Sequence, residues 1–174
     1  MQADTQEKIF KRWFTEYKNL LFKVVRTYAQ SPQDKDDLFQ EILLQLWNSI
    51  PCFQGNSAET TWIYRVALNT ALVWKRAETR KRKRHHISII DVEDNFVVEN
   101  NSNTVNDNHV LDRLYENIRK LPKIDSSLIF MHLEGLSYDT IADVLGISKS
   151  YVGVRLNRAK NQLADLMKGL IDEF

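Results

Sequence analysis

Residues 136–160, LSYDTIADVLGISKSYVGVRLNRAK, constrain the fold more tightly than any other stretch, because two short amphipathic segments hinge there on one glycine. Ser137 is placed to cap the first segment, Asp139 and Thr140 fall in its first turn, and Ile141, Val144 and Leu145 form an apolar stripe. Gly146 can take the left-handed backbone that ends this helix, and Ile147 plugs the angle that follows. Ser148 then caps a second helix that turns Val152, Leu156 and Leu163 inward. The pattern predicts a helix-turn-helix. Lys149, Ser150, Tyr151, Arg155 and Arg158 project from the start and one side of its second helix, which suits a helix entering a major groove by its N-terminal end. Arginine can meet guanine edges bidentately, while lysine, serine and helix N-terminal amides meet phosphates. An ordinary helical hairpin with a solvated basic face is the competing reading. Caps, turn glycine, apolar plug and basic leading face occurring together favour DNA.

The chain has 174 residues, room for one ordinary domain or two small ones, and its 43% hydrophobic content supplies a core in either case. A formal net charge of +1 carries no message about nucleic acid, but the distribution does. Residues 75–84, KRAETRKRKR, hold seven basic side chains against Glu78, whereas residues 87–110 hold five acidic ones and no lysine or arginine. Separated charge blocks indicate more than one surface to present. Cys52 is the single cysteine, so no internal disulfide or cysteine-cluster zinc site can form, and no cofactor or metal is expected. No apolar run approaches the ~18 residues that span a bilayer, and the start, MQADTQEKIF, lacks a signal peptide's layout. A soluble, cytoplasmic protein is expected.

Over residues 4–29 the apolar side chains Ile9, Phe10, Trp13, Phe14, Tyr17, Leu20, Leu21, Val24 and Tyr28 recur at helical steps, with Asp4 and Glu7 as a plausible capping pair. Ser31, Pro32 and Asp34 start a second helix that Pro51 ends. Its segment DDLFQEILLQLW carries a stripe of Leu38, Phe39, Ile42, Leu43, Leu46 and Trp47, with Asp36, Asp37, Gln40, Glu41, Leu44 and Gln45 elsewhere around it. Leu44 either widens the core stripe or stands as an exposed apolar residue in a polar face, the usual look of a protein contact. PCFQGNSA, residues 51–58, is a loop in which Phe53 is a tucked anchor or a ligand platform. Residues 60–84 form one long helix in which Tyr64, Arg65, Asn69, Lys75 and Arg76 interleave with Trp62, Ile63, Val66, Ala67, Ala71 and Trp74. Rings that stack on unpaired bases and cations that follow phosphates suit single-stranded nucleic acid, although aromatics at helical spacing also build cores.

Residues 85–107 lose periodicity and read as a flexible acidic linker between unit 1–84 and unit 108–174. In the second unit Asp107 or Asn108 caps a helix carrying Val110, Leu111, Leu114 and Ile118, Pro122 breaks it, and Leu128, Ile129 and Leu133 lead through Gly135 into the helix-turn-helix. The expected fold is all-α: two small helical domains, the second made of four short helices.

DDLFQEILLQLW, the stretch 53–76 and LPKIDSSLIFMHLEGLSYDTIADVLGISKSYVGVRLNRAK together resemble the bacterial sigma-70 family, specifically its small extracytoplasmic-function (ECF) group built on domains two and four. The resemblance implies that Asp37, Gln40, Glu41, Leu44 and Trp47 bind core RNA polymerase. It implies that Phe53, Asn56, Ser57 and Thr60 form a pocket for a base flipped from the melted minus-ten element, while Trp62, Tyr64, Arg65, Asn69 and Arg76 line the non-template strand. Lys149, Ser150, Tyr151, Arg155 and Arg158 would read the minus-thirty-five element, and an anti-sigma factor is the implied regulator. Gly153 and Val154 stand where many relatives place Lys-Ser, and Ser126 where an arginine is frequent. The implied function is promoter-specific initiation rather than catalysis. The residues alone also permit a conventional helix-turn-helix regulator of duplex DNA, or an all-helical adaptor between proteins. An enzyme is the weakest candidate, because His85, His86, His109 and His132 join no cysteine or carboxylate at ligand or catalytic spacing.

Overall fold

A computed structural model describes residues 2–85 and 107–171, and among them every regular element is a helix. Helix α1 (Gln2–Tyr28) buries Trp13, Leu20, Leu21, Val24, Val25 and Tyr28 along one face. It begins before Asp4, so Glu7 does not cap it and instead pairs with Lys11 one turn on, at 2.6 Å. Helix α2 (Pro32–Ser49) starts where the sequence indicates: the Ser31 hydroxyl accepts the Asp34 amide at 3.0 Å and proline occupies the first turn. Leu38, Ile42 and Leu46, four residues apart, form its buried stripe. A short 3-10 turn, Ile50–Cys52, carries Pro51 and ends the run before loop 53–58. Helix α3 (Glu59–His85) buries Ile63, Tyr64, Ala67, Leu68 and Ala71, and it packs with α1 and α2 into a three-helix unit.

Four helices follow: α4 (Asp107–Lys120), α5 (Lys123–Leu133), α6 (Tyr138–Leu145) and α7 (Lys149–Ile171). The last is long, not short, because Ala159 and Leu163 continue the inward stripe of Val152 and Leu156 with no breaker behind them. Helix α5 is buried from Asp125 through Met131, as a helix enclosed on every side must be. It touches α4, α6, α7 and, across the chain, α1. Ser126, buried, donates to the Ile118 carbonyl at 2.7 Å and ties the start of α5 to the end of α4. Both ends of the expected linker prove helical, since His85 closes α3 and Asp107 opens α4; the rest of it falls outside the described residues.

The turn of the helix-turn-helix forms as its residues dictate. The Ser137 hydroxyl accepts the Thr140 amide at 3.1 Å. Gly146 takes φ of 67°, and the Ile147 amide returns to the Ala142 carbonyl at 3.1 Å. With only eight residues, α6 depends on that cap. Ser137→Ala is expected to cost about 1 kcal/mol of stability, measured as a lower denaturant midpoint at unchanged slope.

Candidate nucleic-acid and protein-binding surfaces

The loop after α2 is held by Phe53, whose ring meets Trp13 edge-on (centroids 5.5 Å, 76°) and Trp62 at 5.7 Å. Anchoring follows from wedging an apolar ring between two larger ones. Around it opens a cavity of about 620 Å³, lined by Phe53, Asn56, Ser57, Thr61, Trp62 and Arg65, together with Cys52, Gln54, Ala58 and Asp143. Its lining combines aromatic rings, amides, hydroxyls and a guanidinium. Those are the groups that hold an unstacked base and its phosphate. Asn56 donates to the Gln54 side-chain oxygen at 3.2 Å, and Trp62 Nε1 donates to the Ser49 hydroxyl at 3.2 Å.

Two expected members of this site lie elsewhere. Thr60 turns to the Tyr17 hydroxyl, 3.4 Å away, and Thr61, one position on, takes the wall instead. Tyr64 is 4% exposed, packed beside Phe130 (6.2 Å), and burial drives its phenol well above the usual range. A hundred degrees of helix rotation separates consecutive residues, which is why single-position errors move a side chain to another face. Along α3 the surface from Arg65 continues through exposed Asn69, Val73, Arg76 and Arg80, spaced to share one face. Val73 had no sequence signal beyond that spacing. The side chains of the basic run after Arg80 lie outside the described residues.

On α2, Asp37 and Gln40 are exposed and Leu44 is 52% exposed, so Leu44 does not widen the core. Glu41, half-buried, accepts from Gln45 at 2.9 Å. Trp47 is half-buried with its ring edge-on to Phe10 (5.4 Å) and belongs as much to the helix packing as to the surface. Beside this face, Phe14 and Phe22 of α1 meet Phe39, the Phe22 and Phe39 rings stacking at 4.7 Å. Phe39 packs half-buried against the core, as its place in the apolar stripe indicates, whereas Phe14 and Phe22 are 37% and 52% exposed.

The second helix of the helix-turn-helix, α7, presents Ser150, Tyr151, Val154 and Arg158 to solvent. Lys149 reaches back to Asp139 at 2.8 Å, both side chains exposed. Arg155 does not face outward freely. Its Nε and Nη2 donate to the two carboxylate oxygens of Asp125 at 2.6 and 3.2 Å, and that pairing raises its affinity for its proton. Asp125 sits on α5 with its side chain 4% exposed, so the pair is an internal brace. The sequence could not reveal it, because the partners are 30 positions apart. Val154, 61% exposed between Tyr151 and Arg158, is the surface residue that a search for polar contacts passes over.

Gly153 lies within α7, where a Cβ would approach Tyr138 Cε2 at 3.6 Å, ordinary contact. No packing demand within the chain explains the glycine. Gly153→Ala is therefore expected to raise stability by about 0.5–1 kcal/mol, read in thermal unfolding of the free protein.

Comparison with known proteins agrees with this layout. The Sigma-70 region 2 profile matches residues 13–81 and the Sigma-70 region 4 profile matches residues 111–163. The ECF RNA polymerase sigma-E factor of Haemophilus influenzae is 28% identical over 172 residues, covering 95% of this chain and 90% of that protein. The sigma-E factor of Escherichia coli K12 is 27% identical over 173 residues, with the same coverage. Among solved structures, the sigma factor RpoE of Bartonella quintana, in complex with the anti-sigma factor NepR, superposes with a TM-score of 0.69 at 19% identity, covering 92% of this chain and 98% of that one. CnrH, in complex with the cytosolic domain of CnrY, gives 0.66 at 21%, covering 94% and 90%. These two likenesses establish the fold. With both region profiles matched in order across most of its length, the chain belongs to the extracytoplasmic-function group of the sigma-70 family of RNA polymerase sigma factors.

Proposed function

We infer that this sigma factor binds core RNA polymerase through the exposed face of α2, captures a melted minus-ten base in the loop cavity, and reads the minus-thirty-five duplex with α7. The observation that carries the reading is the cavity: Phe53 and Trp62 supply ring faces, Asn56, Ser57 and Thr61 supply hydrogen-bonding groups, and Arg65 supplies the cation. The stripe Asn69, Val73 and Arg76 extends from it as a path for the displaced strand. Asp37, Gln40, Glu41 and Leu44, with Trp47 partly covered, form the polymerase-facing side. On α7, Lys149, Ser150, Tyr151 and Arg158 remain for duplex DNA, joined by Val154, which suits a thymine methyl group. Arg155 positions the helix through Asp125.

Unit boundaries at 1–84 and 108–174 fit this division of labour. The polymerase performs the chemistry, so the chain itself is not an enzyme. No helix among the described residues is long and apolar enough to cross a membrane, in keeping with a cytoplasmic factor. Because the solved relative RpoE is held by an anti-sigma factor, a partner of that kind is proposed here too. A duplex-DNA regulator would need α7 but gives no role to the loop cavity or to exposed Leu44.

Initiation by purified core polymerase from a family promoter should require the wild-type chain. Asn56→Ala should reduce it about tenfold or more through loss of a base contact worth about 1–3 kcal/mol. Asn56 is exposed and bonds only within its loop, so the variant should keep its helix content. Undiminished initiation would remove Asn56 from the base pocket.

A further inference from the structure

Tyr151 and Val154 stand three positions apart near the start of α7, and both are exposed. At that spacing two side chains on a helix are neighbours, their Cβ atoms about 5–6 Å apart. The ring and the isopropyl group therefore flank one apolar notch on a surface whose other exposed members, Lys149, Ser150, Asn157 and Arg158, are polar or charged. Tyr151 is a tethered wall of that notch. Arg155, one turn on, is braced by the buried Asp125 carboxylate at 2.6 and 3.2 Å, and the Tyr151 phenol lies within hydrogen-bonding contact of the same guanidinium. A guanidinium only donates, so the phenol oxygen accepts, and the ring is tied at its far end to a fixed group. Beside Val154, Gly153 has no side chain to bend over the notch, and the Tyr138 ring lies 3.6 Å from where its Cβ would stand.

An apolar notch on a helix that enters a major groove has a narrow choice of occupant. Base edges there present hydrogen-bond donors and acceptors, and the one apolar group among them is the C5-methyl of thymine. We propose that Tyr151 and Val154 together receive that methyl group and fix a thymine in the minus-thirty-five element of this sigma factor. The inference rests on the reading of α7 as the helix that binds the duplex, and it deepens that reading by naming a base. Tyr151 then acts through its ring, while its hydroxyl serves to hold the ring in place. Seating the methyl takes apolar surface of all three groups out of water. A cytosine at the same position offers a bare C5 and an amino donor that the two apolar walls leave unpaired.

The test uses holoenzyme assembled from core polymerase and the full chain. Duplexes are selected for binding from a pool randomised across the minus-thirty-five element, and each thymine of the selected element is replaced in turn by deoxyuridine, which lacks only the C5-methyl. For the wild-type chain, deoxyuridine at one position should weaken binding at least about fourfold, the worth of one buried methyl-sized group. In Val154→Ala and in Tyr151→Ala the same replacement should change binding less than about twofold, because the notch is already gone and the two losses do not add. Both side chains are exposed, so neither variant opens the core. A selected element with no fixed thymine overturns the proposal. So does the absence of any position sensitive to deoxyuridine, or equal sensitivity in wild type and Val154→Ala. Failure of the reading of α7 itself is distinct: holoenzymes carrying Arg158→Ala or Val154→Ala would both bind the selected duplex as wild type does, and the proposal would fall with it.

Discussion

Core RNA polymerase is expected to bind the Asp37→Arg, Leu44→Glu variant at least about a hundredfold more weakly than the wild-type chain. Leu44 is a large apolar side chain, 52% exposed on a helix whose core stripe is already complete with Leu38, Ile42 and Leu46. An apolar residue so placed gains its free energy only when a partner covers it, and burying a glutamate there would leave a charge without a counterpart. Asp37 lies two helical turns before Leu44, so both substitutions strike one face without touching the core. Pull-down with purified core enzyme gives the result, and circular dichroism should show the same helix content in both proteins. Wild-type affinity in the variant would move the polymerase face off this side of α2. The neighbouring aromatic cluster of Phe14, Phe22 and Phe39 would be the next surface to test.

Two arginines on α7 are expected to fail in different ways. Arg155→Ala removes both donors from a carboxylate that is almost wholly buried. A buried group left without its partner bears its full desolvation penalty. The melting temperature should fall by at least about 5 °C, and duplex binding should weaken because α7 loses its brace to α5. Arg158→Ala removes an exposed cation. Its melting temperature should stay near that of wild type, while duplex affinity drops. If Arg158 meets a phosphate, the salt slope of binding should flatten by about one unit. Calorimetry and salt titration on both variants separate the two roles. Equal thermal stability of the two variants would return Arg155 to the DNA-reading set.

Much of this molecule was legible in its residues. The caps Ser31 and Ser137, the turn at Gly146 and the buried stripe Leu38, Ile42, Leu46 all form as local spacing indicates, because each depends on neighbours within a turn or two of backbone. The same locality explains the misses. Glu7 looked like a capping partner for Asp4, but helix nuclei extend wherever no breaker stands, and α1 runs back to Gln2. Thr60 and Thr61 are chemically equivalent as hydroxyls, and only the rotation of α3 against the loop decides which lines the cavity.

Sequence by itself determined an all-helical chain, its helix boundaries to within a few residues, a helix-turn-helix at its C-terminal end, and a family whose two region profiles match in order. These follow from hydrophobic period, caps and breakers, all short-range properties of the chain. Tertiary structure alone decided that Leu44 is exposed, that Arg155 is occupied by Asp125, that Tyr64 lies buried against Phe130, and that Asp143 reaches the cavity beside Arg65. The last three join residues 30 to 78 positions apart. Helical period says which side of a helix is apolar, but charge, amide and aromatic side chains serve equally well inside a packed contact or on a binding face. Only the neighbour that packing brings to each of them distinguishes the two.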